Sequence, residues 1–176
     1  MTDGSEENRV LQVGDEAPDF TLPTHAEGEH NLAWYRGRKN VILAFYPADW
    51  TPVCATQIPG YVPLLRRFEE YDAQVIGISA DSVPCHRAWA KSLGGIPFPL
   101  ASDFWPHGQV SRRYGVLNKK GFPERAVFVI DKKGIVRHIQ RVHPARIPDN
   151  DEIFEVLKQL SEEQAAEPEE DDWMRQ

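Results

Sequence analysis

The sequence predicts an α/β fold, a mixed central sheet flanked by helices in three layers, and three observations predict it. Apolar runs of strand character alternate with stretches whose apolar residues recur at helical spacing, two of the connections have the length of parallel crossovers, and the chain closes with a hairpin. With 176 residues, 41% of them hydrophobic, the chain suits one domain with a real core. Residues 1–9 read as a flexible start, 10–161 as the folded domain and 162–176 as a disordered acidic tail.

The first strong strand is Val41 to Tyr46, an unbroken apolar run. Ala55 to Tyr71 follows as a helix, with Ile58, Val62, Leu65 and Phe68 on one face. Pro59-Gly60 interrupts it, because proline deletes a backbone donor, and a kink is expected there. Gln74 to Ser79 is a second buried strand, Asp81-Ser82 supplies an N-cap, and a helix runs from Val83 to about Leu93, ending at Gly94-Gly95. Phe98 to Ser102 leads into a short helix, Gln109 to Tyr114, with Gly115 as its stop. Ala126 to Ile130 and Ile135 to Gln140 flank the turn Asp131-Lys132-Lys133-Gly134, with glycine where positive φ is wanted. Asp149-Asn150-Asp151 caps a last helix carrying Ile153, Val156, Leu157 and Leu160 on one face.

Composition narrows the function. A formal net charge of −7 repels a nucleic-acid backbone. No run approaches the roughly twenty apolar residues that a membrane span needs, and Met1 to Asn8 is polar and acidic, so a cytoplasmic protein is expected. Two cysteines make no disulfide scaffold, and neither has metal-ligand spacing, even though His86 adjoins Cys85; no metal is expected.

The most informative stretch is Pro47-Ala48-Asp49-Trp50-Thr51-Pro52-Val53-Cys54. It delivers one thiol to the first turn of a helix at the end of a buried strand, where unpaired N–H groups and the positive end of the helix dipole favour a thiolate. The chance of meeting this Pro, Thr and Cys spacing in a chain of such composition is roughly half a per cent. Burial as a small hydrophobe is the competing fate of any free cysteine.

Three separated segments resemble the peroxiredoxins in order and spacing: Val13 to Leu22, Phe45 to Cys54, and Arg125 to Asp131. Phe98 to Gly108, with Tyr114-Gly115-Val116 after it, most resembles the alkyl hydroperoxide reductase E branch. The resemblance implies a thioredoxin-like arrangement, a homodimer through the loop faces, and no metal or organic cofactor. It implies reduction of hydrogen peroxide and organic hydroperoxides through a sulfenic acid on Cys54, recycled by a thioredoxin-, glutaredoxin- or mycothiol-type reductant. Thr51, Arg125 and Pro47 match the family's catalytic positions.

The chemistry needs those residue types. A thiolate attacks one peroxide oxygen while the other leaves as alkoxide or hydroxide, so charge moves from sulfur onto oxygen. Ionisation alone is a weak lever: free cysteine, with pKa about 8.5, is already partly thiolate, and nucleophilicity falls as pKa falls. Donors aimed at the developing charge are the larger factor, each worth roughly 100- to 1000-fold. Thr51 offers a hydroxyl that can donate to peroxide oxygen and accept from a helix-start N–H, Arg125 a fixed fork of donors, and the N–H groups of Val53 and Cys54 complete the set. Pro47 would keep bulk water off the sulfur.

Several residues carry two readings. Gln57, one turn after Cys54, either braces Arg125 or faces solvent; Trp50 is either a pocket neighbour or an exposed loop aromatic. Cys85 opens the helix after the next strand and is either a resolving thiol, bonding to Cys54 once the Cys54 turn unwinds, or inert packing. Trp105 and His107 are assigned no chemistry. Two other functions share these features: a thioredoxin-type disulfide reductase, although Thr51 stands where its first cysteine would be, and a non-enzymatic peroxide sensor or holdase.

Overall fold

The computed structural model describes residues 10–167. Five strands form the central sheet in the order β5-β4-β3-β6-β7: β3 Asn40–Phe45, β4 Ala73–Ser79, β5 Leu100–Ser102, β6 Ala126–Ile130 and β7 Val136–Arg141. The β3–β4 and β4–β5 pairs are parallel, joined by helical crossovers, while β3–β6 and β6–β7 are antiparallel. The sheet is therefore mixed, as expected. A separate hairpin, β1 Thr21–Pro23 and β2 Glu29–Asn31, precedes it. The helices are α1 Cys54–Gly60, α2 Leu65–Glu70, α3 Val83–Ser92, α4 Gln109–Arg113 and α5 Asn150–Ala166.

Strand alternation sorts the apolar residues into two cores. Ile42 and Ala44 of β3, with Val127 and Val129 of β6, face one core with Ile58, Phe68, Trp89 and Leu157 from the helices. Val41, Leu43 and Phe45, with Phe128 and Ile130, face the other, which takes in Phe20 and Leu22 of the N-terminal segment and Val110 of α4. Every residue of β3 and β6 is buried, which accounts for their unbroken apolar runs. Gly77 of β4 leaves room on the first face: a Cβ there would meet Leu100 Cδ2 at 2.9 Å and Tyr46 Cε1 at 3.3 Å.

The expected kink is a full break. α1 contains Pro59 and ends at Gly60, a 3₁₀ turn spans Val62–Leu64, and α2 begins at Leu65. The hairpin turn is as read, with Gly134 at φ +81° and Asp131 Oδ1 accepting from the N–H groups of Lys133 and Ile135. Three short elements carry too little periodicity to be read from sequence, namely β1, β2 and β5, each three residues long.

The reading of 162–176 as a disordered tail needs correction over its first part. α5 continues through Ala166, where Glu163 pairs with Arg137 at 2.7 Å and Gln164 Nε2 donates to Asn40 Oδ1 at 2.9 Å. The acidic residues are good helix formers with cationic partners on the sheet edge, so charge density does not end the helix here. Residues 1–9 and 168–176 lie outside the described residues. Among the described residues no helix is long and apolar enough to cross a membrane.

Candidate active site

Two neighbouring strand ends build the site. β3 and β6 run antiparallel with Phe45 opposite Ala126, so the residues just beyond each end, Tyr46 and Arg125, meet at the same edge. The chain leaves β3 through the 47–53 loop and enters α1 at Cys54. The α1 ladder begins with the Ala55 N–H donating to Thr51 O at 2.9 Å, so the N–H groups of Val53 and Cys54 precede it.

Cys54 has no solvent-accessible surface, yet its sulfur is not in purely apolar surroundings: Arg125 Nη2 donates to Sγ at 3.2 Å. Arg125 is itself only 2% exposed. Its other donors reach the Pro144 carbonyl, from Nε at 3.3 Å and Nη2 at 3.2 Å, and Gln57 Oε1, from Nη1. Among the described residues no carboxylate forms an ion pair with this guanidinium. A buried cation without an anionic partner is costly, and Cys54 is the one group in its hydrogen-bonding shell that can take a negative charge.

Gln57 is buried and braces Arg125, the first of its two readings. Its Nε2 donates to the Tyr61 hydroxyl at 3.2 Å, and burial pushes the Tyr61 phenol up to about 12, so this end of the chain stays neutral. The relay therefore runs Tyr61, Gln57, Arg125, Cys54.

Above the sulfur lies a pocket of about 570 Å³, lined by Pro47, Thr51, Pro52, Val53, Asn118, Lys119, Lys120, Phe122, Arg125 and Pro144. Pro47 and Thr51 thus stand where the sequence suggests, on the wall beside Cys54. One detail is corrected: the Thr51 hydroxyl donates its single proton to Ala48 O at 2.8 Å, so in this state Oγ1 turns lone pairs, not a proton, to the pocket. Trp50 takes the second of its two readings, the exposed loop aromatic. It does not line the pocket; it is 57% exposed, with φ of 65°.

Cys85 belongs to a second cluster. Its Sγ is 3.9 Å from Asp81 Oδ1, and burial, then Asp49 and Asp81, push its thiol up to about 11. Both cysteines are free thiols. Ligand atoms of Asp49, Asp81 and Cys85 lie within 4.8 Å of one another, but the carboxylate oxygens are engaged by protein donors.

Sequence reasoning missed the buried braces. Asp49 Oδ1 accepts from the Tyr46 hydroxyl at 2.8 Å, and Asp49 Oδ2 lies 2.6 Å from His86 Nδ1. His86 Nε2 faces Ala101 O at 3.1 Å, and a carbonyl only accepts, so Nε2 carries a proton. The one available signal was an aspartate inside an otherwise apolar motif. The Pro144 carbonyl was missed as well, since a backbone acceptor has no side-chain signature.

Known proteins carry the same pattern. Residues 13–139 match the model of the AhpC/TSA family. The chain is 41% identical to alkyl hydroperoxide reductase E of Mycobacterium tuberculosis over 141 residues, 80% of this chain and 92% of that protein. It is similar in structure to reduced 2-Cys peroxiredoxin of Plasmodium vivax, with a TM-score of 0.80 and 34% identity over 88% of this chain and 84% of that one. Mycobacterium tuberculosis AhpC gives a TM-score of 0.78 at 27% identity, covering 94% and 99% of the two chains. The fold is the thioredoxin-like one of these neighbours. With the family pattern spanning most of the described chain and the buried Cys54–Arg125 pair at its centre, this protein belongs to the AhpC/TSA family, the peroxiredoxins.

Proposed function

We propose that this protein is a thiol-dependent peroxidase that reduces hydrogen peroxide and organic hydroperoxides at Cys54. The single observation that carries this reading is the buried Arg125 guanidinium, which meets the Cys54 sulfur and, among the described residues, no carboxylate. A thiolate there is matched in charge and held beside donors that can follow the charge onto oxygen.

The sulfur has no accessible surface, so a peroxide reaches it only as the pocket floor of Thr51, Val53 and Arg125 gives way. The hydroperoxide O–H donates to the Thr51 lone pair, which aims its terminal oxygen at the sulfur. The Cys54 thiolate forms an S–O bond, the O–O bond breaks, and the distal oxygen leaves as alkoxide or hydroxide and takes a proton from solvent. Arg125 stabilises the negative charge during transfer. The product is a sulfenic acid on Cys54. One external thiol condenses with it to a mixed disulfide and water, and a second thiol releases reduced Cys54.

We take the reductant to be of thioredoxin, glutaredoxin or mycothiol type, acting on Cys54 directly. Supporting this over resolution through Cys85 is the setting of that thiol beside Asp49 and Asp81, which keeps it protonated and weakly nucleophilic at neutral pH. Both cysteines are free, which fits the cytoplasm, and exposed Phe104 and Trp105 on one loop fit a homodimer contact. Stopped-flow tryptophan fluorescence with equimolar peroxide tests the reading. A fast change that requires Cys54, followed by turnover with a thiol reductant, is expected. A Cys54 thiol still free after the mixing would end it, and a single turnover with every reductant would favour a sensor.

A further inference from the structure

The peptide group joining Ala48 to Asp49 is hydrogen-bonded on both edges. Its carbonyl accepts the Thr51 hydroxyl proton at 2.8 Å, and its N–H donates to Asp81 Oδ2 at 2.9 Å. Asp81 stands outside the loop, in the turn from β4 to α3. The same Oδ2 accepts from Ser79 Oγ at 2.6 Å, and the Asp81 carbonyl accepts from Ser102 Oγ at 2.6 Å. Ser79 and Ser102 end β4 and β5 and are buried, so Asp81 is tied to the rigid sheet.

A peptide unit is planar and trans, so fixing the direction of its N–H fixes the direction of its C=O. Rotation about that plane would carry the Ala48 carbonyl off the Thr51 hydroxyl. The hydroxyl would then turn, and with it the lone pairs that face the pocket. The Asp81 side-chain oxygen accepts from the one N–H that sets this plane. Asp49 holds the far end of the same peptide through Tyr46 and His86.

We propose that Asp81 is a positioning residue for the peroxidase reaction, acting through the Ala48–Asp49 peptide on the Thr51 hydroxyl and through nothing else. This rests on the peroxidase reading above. Cys54 chemistry senses Asp81 only as the angle at which Thr51 meets the peroxide. What counts is an acceptor in the right place and not the negative charge.

The test is a double-mutant cycle on the full chain, read as the second-order rate constant of Cys54 oxidation by hydrogen peroxide. Asp81→Asn keeps an acceptor without the charge and is expected within about threefold of the native rate. Asp81→Ala is expected to lose about tenfold or more when Thr51 is present, and less than about twofold in the Thr51→Ala background. Equal losses in the two backgrounds would overturn the proposal, as would an Asp81→Asn variant as slow as Asp81→Ala. Should Asp81→Ala fail to fold by thermal denaturation, Asp81→Glu displaces the acceptor by one methylene with the charge kept, and the same non-additivity with Thr51→Ala is required of it. A native protein that ignores hydrogen peroxide would defeat the peroxidase reading itself, and that result appears before any variant is compared.

Discussion

Arg125 Nη2 lies 3.2 Å from Cys54 Sγ, and both residues are shut off from solvent although 71 positions separate them in the chain. The contact exists because β6 pairs with β3 and brings its first end against the loop that leads to α1. A guanidinium in that position can donate to sulfur, to the attacked oxygen and to the Pro144 carbonyl without moving its plane.

Arg125→Ala is therefore expected to slow Cys54 oxidation by about 100-fold or more, with Cys54→Ser abolishing it. Arg125→Lys should recover little, because an ammonium has no fork to serve Gln57, Pro144 and Cys54 together. Stopped-flow rates at equal peroxide concentration decide it, and a native rate in Arg125→Ala would remove the residue from the mechanism.

Gln57→Ala separates bracing from chemistry. It leaves one buried Arg125 donor without its acceptor and opens a gap beside Tyr61, so a stability loss of about 1–3 kcal/mol is expected in urea unfolding. The oxidation rate should fall by about tenfold, less than for Arg125→Ala, because the contact to sulfur remains. A larger rate effect than that of Arg125→Ala would mean that Gln57 touches the peroxide itself.

Cys85 gives a pH prediction. Burial and the two carboxylates raise its thiol to about 11, so the folded protein holds this proton through neutral pH and releases it only as pH climbs toward that value. In a Cys54→Ser background, iodoacetamide labelling of Cys85 should be slow at pH 7 to 8 and rise steeply above pH 10. Cys85→Ser should leave the first oxidation of Cys54 unchanged and turnover with an external thiol intact. A Cys54–Cys85 disulfide found by mass mapping after peroxide would reverse this.

Much of the site was legible because local patterns carry it. A buried strand shows as an unbroken apolar run, a helix start follows it, and the Pro47, Thr51 and Cys54 spacing lies within eight residues. Arg125 was legible as the residue opening a strand of recognisable pattern. What escaped was held together by folding alone. His86 reaches Asp49 across 37 positions and Asp49 reaches Asp81 across 32, with no periodicity to announce either bond. Trp50 stayed open between two readings for a backbone reason: its φ of 65° is expected of glycine rather than tryptophan, so the sequence does not tell which way the indole leaves the loop. The end of α5 is not legible because acidic composition alone reads as disorder, whereas Arg137 and Lys133 on the neighbouring hairpin supply the opposite charge.

The Asp49–His86 contact supports a last prediction, about stability. Both side chains are fully buried, 2.6 Å apart, and Asp49 has Tyr46 as its other side-chain partner. Removing one member of such a pair strands a polar group in the core, typically at about 3–5 kcal/mol, whereas replacing both with apolar groups costs far less. His86→Leu should therefore lower the unfolding free energy by an amount in that range, and much of it should return in an Asp49→Leu, His86→Leu double variant. The double variant should still oxidise slowly, because it loses the Asp49 carboxylate contacts to Tyr46 and His86 that hold the far end of the peptide whose carbonyl accepts from Thr51. Stability regained without rate is the signature of a brace that serves both the fold and the loop. Equal recovery of the two would confine Asp49 and His86 to the fold.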